Sequence, residues 1–149
     1  VTTFSHNKKA LFNYYLVDTF EAGVSLLGTE VKSVKGADVS INEAFVIFEN
    51  NELFLVKSHI PAYQPANTSP AYDPYRKRKL LLKKEQIARI QKRRETENLT
   101  LIPIKLYNKG PLIKLEIALA RGKKKADKRE SIKTRDVERD LGRRLKNRR

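Results

Sequence analysis

Residues 112–121 constrain the fold more than any other stretch. Ile113, Leu115, Ile117 and Leu119 alternate with Lys114, Glu116, Ala118 and Ala120. A period of two is the signature of a strand with one buried face and one wetter face. The preceding run, Leu99–Tyr107, also reads as a strand, and Asn108-Lys-Gly-Pro111 joins the two as a hairpin. Pro103 offers no N–H to a ladder, so it belongs at an edge or a bulge. An apolar-faced hairpin needs further sheet to cover it, and the rest of the chain supplies it.

Tyr14–Leu27 is rich in aromatic and β-branched residues, with Gly23 suggesting a bulge or sharp bend. Ala44–Phe48 and Leu53–Ile60 form a second hairpin around Glu49-Asn-Asn-Glu52. Thr29–Lys35 reads as a short helix with Thr29 as N-cap and Glu30 in the first turn; Val31 and Val34 share its apolar face. After Leu80-Leu-Leu82 a second helix starts near Lys83, with Ile87 and Ile90 on one side and Glu85 placed to pair with Arg89. Roughly five or six short strands, few helices and no βαβ alternation predict a mainly β fold, an OB-like barrel. The domain covers residues 1–121, and residues 1–13 are read as a loose basic arm. Pro61–Tyr75, with four prolines and three tyrosines, is a long packed loop of the kind that carries function.

Residues 122–149 change character. Apolar residues are too sparse to order the segment alone, yet Val137, Leu141 and Leu145 recur every four residues, as do Arg135, Arg139 and Arg143. The expectation is a basic tail, disordered in isolation and helical when docked on RNA.

Charge identifies the partner class. Lys and Arg number 32 against 17 Asp and Glu, a formal net charge of +15. Such an excess calls for a polyanion, nucleic acid first and an anionic membrane second. The membrane reading needs an amphipathic helix rich in Trp, Phe or Leu, which the tail lacks. Cys is absent, His6 and His59 lie far apart, and neither a phosphate-cradling glycine loop nor a nucleophile elbow is present. The expectation is a cytoplasmic binding protein without catalysis, cofactor or metal. Arg76-Lys-Arg-Lys79 beside the tyrosine-rich loop has the composition of an RNA contact, or of a solvated basic run. Most carboxylates read as members of solvated charge pairs. Tyr14 and Tyr15, adjacent on a strand, face opposite sides, one to the core and one free to stack. Glu21 is open to two readings, a salt-bridge partner or an acceptor for base amino groups.

Several short motifs, in order, resemble one family. Asn7-Lys-Lys-Ala10 leads to Tyr14-Tyr15, then Phe20-Glu-Ala-Gly23 and Leu27-Gly-Thr-Glu-Val-Lys-Ser33. Asp73-Pro precedes Arg76-Lys-Arg-Lys-Leu-Leu-Leu82, and Ala118-Leu-Ala-Arg-Gly-Lys-Lys124 precedes Asp127-Lys-Arg129. Over nearly its whole length the chain is similar to small protein B, the SsrA-binding protein family of bacteria. The resemblance implies a six-stranded OB-like barrel that binds the tRNA-like part of transfer-messenger RNA (SsrA), one copy per RNA. It further implies delivery to the stalled 70S ribosome for trans-translation, protein and RNA together mimicking a tRNA. The tail would enter the mRNA channel and meet the 16S RNA of the decoding centre. On this resemblance Asn7, Lys8, Lys9, Tyr14, Glu21, Phe45, Arg76, Arg78, Lys79 and Leu81 form the RNA face, and for Glu21 it favours base contact. Lys123, Lys124, Asp127, Lys128, Arg129, Lys133, Arg135 and Arg139 form the ribosome-contacting tail. Two departures stand out: Ala126 occupies a position where relatives often place His or an aromatic, and Phe45 replaces a common Tyr. The competing reading is a ribosomal protein or assembly factor that binds ribosomal RNA.

Overall fold

The computed structural model describes residues 1–36, 38–126, 128 and 129. In chain order the elements are β1 (Thr3–His6), α1 (Lys8–Asn13), β2 (Tyr14–Val24), α2 (Gly28–Gly36), β3 (Phe45–Glu49) and β4 (Glu52–Val56), then β5 (Arg78–Leu81), α3 (Lys84–Thr96), β6 (Thr100–Lys109) and β7 (Leu112–Gly122). All pairings are antiparallel, in the order β1-β6-β7-β2-β5-β4-β3. The fold is mainly β, as expected, with β1 making a seventh strand beyond the six implied. The sheet curls so that β3 comes against β6 without joining its ladder, a barrel-like closure around the core.

Turn chemistry sets the registers. Asn50 and Asn51 hold φ of 51° and 62°, the left-handed pair of a two-residue hairpin turn, so Glu49 faces Glu52. Gly110 has φ 60° and with Pro111 closes the β6–β7 hairpin. The β6 register shifts between Pro103 and Lys105, the bulge that a missing proline donor favours. The β2 bulge falls between Leu16 and Asp18, not at Gly23. Gly23 instead marks where β2 leaves β7 for β5, pairing with both Lys114 and Leu81. A Cβ there would meet Leu81 Cβ at 3.2 Å, so glycine admits a close crossing.

Two helix expectations need correcting. Thr29 lies inside α2; Leu27 is the cap residue, its carbonyl accepting from Val31 N–H while Glu30 Oε1 accepts from Leu27 N–H at 2.9 Å. A carboxylate reaching back to the cap is half of a capping box and satisfies a donor that threonine would not reach. On α3 the ion pair is Arg93 with Glu97 at 2.8 Å, rather than Glu85 with Arg89, while Ile87 and Ile90 are buried as predicted.

The main core lies inside the curl, where Leu115, Ile117 and Leu119 meet Leu53, Leu55, Leu80 and Ile90. A second cluster sits on the outer face: Ala10 of α1 covers Ile102, Ile104, Ala118 and Ala120, flanked by Tyr14 and Leu16. The N-terminal arm is therefore not loose. It adds β1 beside β6, and α1 caps the outer face where small alanines let a helix approach. The wetter face of β7 is wet only at its Lys114–Glu116 end.

One polar cluster is buried with the core. Glu30 is 1% and Arg78 0% exposed. Arg78 donates to Glu30 Oε2 from Nε at 2.9 Å and from Nη2 at 2.5 Å, and also to Ser58 and to the Pro74 and Arg76 carbonyls. Arg76 donates to Oε1 from Nη2 and to both oxygens from Nε at 3.1 Å, and Tyr72 Oη lies 3.1 Å from Oε2 and 2.8 Å from the Ile60 carbonyl. Glu30 is thus no solvated charge pair; it ties α2, β5 and the loop at residues 61–75 together. Burial pushes the Glu30 carboxyl up, but hydrogen bonds from Arg76, Leu27 N–H and Arg78 outweigh it and hold the group below its ordinary 4.5.

Arg78→Met leaves the buried carboxylate half compensated and should destabilise the protein by about 3–5 kcal/mol in urea unfolding. A loss under about 1 kcal/mol would contradict the central place given to this pair. The depressed Glu30 pKa adds stability that is present above the unfolded value and lost as pH falls through the folded one. Acidification from pH 5 downward should therefore lower the urea midpoint more steeply in wild type than in Glu30→Gln.

Candidate nucleic-acid interface

Alternation builds the exposed face. In β2, Phe20 and Ala22 point to the core, so Glu21 and Gly23 point outward. In β7, Lys114 and Glu116 do the same. Register then places Glu21 beside Glu116, Glu116 beside Lys105, Gly23 between Lys114 and Leu81, and Tyr107 beside Lys114. Two carboxylates directly across strands repel each other. The face offsets this with donors: Tyr107 Oη donates to Glu21 Oε2, Lys109 Nζ to Glu21 Oε1 at 3.3 Å, and Lys105 Nζ lies 3.6 Å from Glu116. The Tyr107 hydrogen bond, aided by Lys109, draws the Glu21 carboxyl below its ordinary range; burial and Glu21 together push the Tyr107 hydroxyl up. Leu81, 52% exposed, and Leu112, 58% exposed, flank a cleft of about 330 Å³ that Gly23 and Lys114 also line.

Tyr14, Glu21 and Leu81 come to this outer face from separate stretches of sequence, whereas Asn7 does not present its side chain there. Asn7 is buried where β1 meets α1; its Nδ2 donates to the Pro103 carbonyl at 3.0 Å, while Oδ1 accepts nothing from the described residues. Lys8 is exposed, and Lys9 sits 3.1 Å from Glu43 in a solvated pair. Tyr14 is half-buried against the outer cluster, and Tyr15 is the exposed member of the pair, with Lys123 Nζ 4.8 Å from its ring centre. Phe45 is exposed, under Lys57 at 5.6 Å; β3 is last in the sheet order, but the curl brings it against β6, and Glu43 just before it pairs with Lys9 of α1.

The basic run 76–79 divides by strand period. Arg78 is a correction: wholly buried on Glu30, it has no surface to offer an RNA. Arg76 is largely committed to the same carboxylate, its side chain 31% exposed. Lys77 and Lys79 point outward, 2.8 Å from Glu49 and 3.0 Å from Glu52. The alternation that continues into Leu80 and Leu81 was the available signal, masked by four like charges.

Among the tail positions, Gly122 still pairs with Tyr14, and Lys123 is held to the Asn13 carbonyl through its N–H and to the Leu11 carbonyl through Nζ at 3.0 Å. The folded unit thus runs past the predicted boundary at residue 121. Lys124 accepts from Lys128 N–H in a helical turn, and Arg129 is exposed. Asp127, Lys133, Arg135 and Arg139 lie outside the described residues. Sequence reading missed Tyr107, Lys109 and Lys114 as members of the face; positions two apart along β6 carried the signal. Among the described residues no group of His, Cys, Asp and Glu could hold a metal ion, and no helix is long and apolar enough to cross a membrane.

Comparison with known proteins agrees over nearly the whole chain. The SmpB protein family matches residues 4–147. The SsrA-binding protein of Mycoplasma mycoides is 50% identical over 133 residues, covering 89% of this chain and 90% of that protein. That of Mesoplasma florum is 49% identical and covers 94% of each, and that of Neorickettsia sennetsu is 52% identical and covers 87% and 88%. A solved chain from work on tmRNA–SmpB and its journey to the center of the bacterial ribosome is 38% identical, with a TM-score of 0.64 over 85% of this chain and 92% of that one. This chain therefore belongs to the SmpB protein family.

Proposed function

We propose that this chain binds transfer-messenger RNA through the outer face of β6-β7-β2-β5 and accompanies it to stalled ribosomes. The observation that carries the reading is the convergence of Tyr14, Glu21 and Leu81 on one face bordered by Lys109 and Lys114. An exposed leucine, a cleft and an ordered carboxylate inside a basic border suit a folded RNA whose bases are partly unstacked. The lysines contribute salt-dependent attraction to phosphates, and Glu21 and Leu81 add contacts that phosphate cannot satisfy. The relatives' name and the ribosomal setting of the solved neighbour favour transfer-messenger RNA over a ribosomal RNA partner. The tail after β7, with Asp127, Lys128 and Arg129 in it, supplies the ribosome contact. Its Arg and Lys residues meet 16S RNA in the decoding centre and the empty mRNA channel, and an occupied channel excludes it.

Gel shifts with transfer-messenger RNA and ordinary tRNA test the RNA reading. Wild type should prefer the former, and Glu21→Arg or Leu81→Asp should weaken it about tenfold or more. Indifference between the two RNAs would overturn the reading. Lys8→Ala should lower affinity modestly and reduce the salt slope by about one. Removing residues 130–149 should spare RNA affinity and abolish peptide tagging in a reconstituted translation system. Parallel loss of both would refute the division between face and tail.

A further inference from the structure

Tyr107 reaches across a strand to meet Glu21. It sits on β6 opposite Lys114 of β7, while Glu21 sits on β2, so its side chain spans the central strand of the three. The residue is 7% exposed, and Lys105 Nζ rests 5.3 Å from the ring centre. Its hydroxyl donates to Glu21 Oε2, and Lys109 reaches the other oxygen at 3.3 Å from a side chain 66% exposed. The carboxylate, 38% exposed, is thus held on one oxygen by a buried donor and touched on the other by an exposed one.

We infer that Tyr107 is a positioning residue for RNA recognition: it aims the Glu21 carboxylate so that Oε1 accepts from a nucleobase amino group or ribose hydroxyl, while Lys109 swings to a phosphate. The inference rests on Glu21 being an RNA contact. The two donors differ in what an RNA can do to them. A flexible, solvated ammonium can exchange one anion for another at little cost. A buried phenol on the sheet face cannot leave, so it retains one carboxylate oxygen and leaves the other to the ligand. An ordered acceptor avoids the loss of rotamer freedom that a free glutamate would suffer on binding. The charged groups facing Glu21 are Lys109 on β6 and Lys114 and Glu116 on β7, with Lys105 screening Glu116.

Tyr107→Phe removes the hydroxyl and keeps the ring. Full-length protein is titrated with transfer-messenger RNA as wild type, Tyr107→Phe, Glu21→Ala and the double variant. Tyr107→Phe should bind about tenfold more weakly with at most a small fall in the urea midpoint, and should add almost nothing in the Glu21→Ala background. The acid limb of binding should also move. Wild-type affinity should fall only below the ordinary 4.5 of a glutamate, because Glu21 stays ionised there; the variant, lacking its main hydrogen bond, should lose affinity at higher pH. Wild-type affinity for Tyr107→Phe, or a loss that adds in full to Glu21→Ala, overturns the inference. If Glu21→Ala itself binds normally, the underlying assignment of Glu21 to the RNA fails, and that result is separate from the other two.

Discussion

A buried carboxylate between two guanidiniums is the interaction on which the rest of the structure depends. Glu30 caps its own helix through the Leu27 N–H and at the same time receives Arg76 and Arg78. Removing these charges from water is costly, and only near-complete hydrogen bonding offsets it. Arg78 meets that condition, with donors placed on the Glu30 carboxylate, Ser58 and two carbonyls. The consequence is positional. The loop after β4 is held to α2, and β5 begins at a residue that cannot shift register without stranding a buried cation. Leu80 and Leu81 inherit that register, so the exposed leucine beside Gly23 is placed by a contact on the opposite side of the strand.

The sheet then serves two faces at once. Inside the curl, apolar side chains of β2, β4, β5, β6 and β7 fill one core. Outside, α1 covers one end of β6 and β7 and leaves the other end open. The Pro103 bulge lies under this boundary, where the Pro103 carbonyl accepts from Asn7 Nδ2 and the Ile104 carbonyl from Asn7 N–H. Asn7 is thereby tied to the bulge by one backbone and one side-chain hydrogen bond.

Much of this was legible in sequence, for identifiable reasons. Both hairpins were, because Asn50-Asn51 and Gly110 specify turns and the flanking residues alternate. The bulge at Pro103 followed from a missing donor. The ordered N-terminal arm was not legible: its apolar content is slight, and it folds only because Ala118 and Ala120 leave room for Ala10. Tertiary contact overrode local composition there. The run at residues 76–79 misled because charge hid periodicity, so Arg78 read as surface. Its buried partner, Glu30, read correctly as a first-turn acid, and that local explanation concealed the long-range one. The family resemblance brought Glu21 and Leu81 forward, while Tyr107 and Lys109 became visible only once β6 and β2 were placed on either side of β7.

An acidic residue at the heart of a cationic face has a physical use. Lysines around the face attract any polyanion, and their contribution weakens with salt alike for right and wrong partners. A carboxylate oriented by Tyr107 repels phosphate and is complemented by a donor, such as a base amino group or a 2′-hydroxyl. An RNA that presents backbone at that point meets a like charge; one that presents an amino group meets an acceptor already oriented. Discrimination then comes from a penalty imposed on the many as well as a contact offered to the few. Such a penalty survives high salt better than the attraction does, because it is local and partly desolvated. Selectivity should therefore rise with ionic strength even as affinity falls, the pattern expected when positioning lysines and a specifying carboxylate share one face.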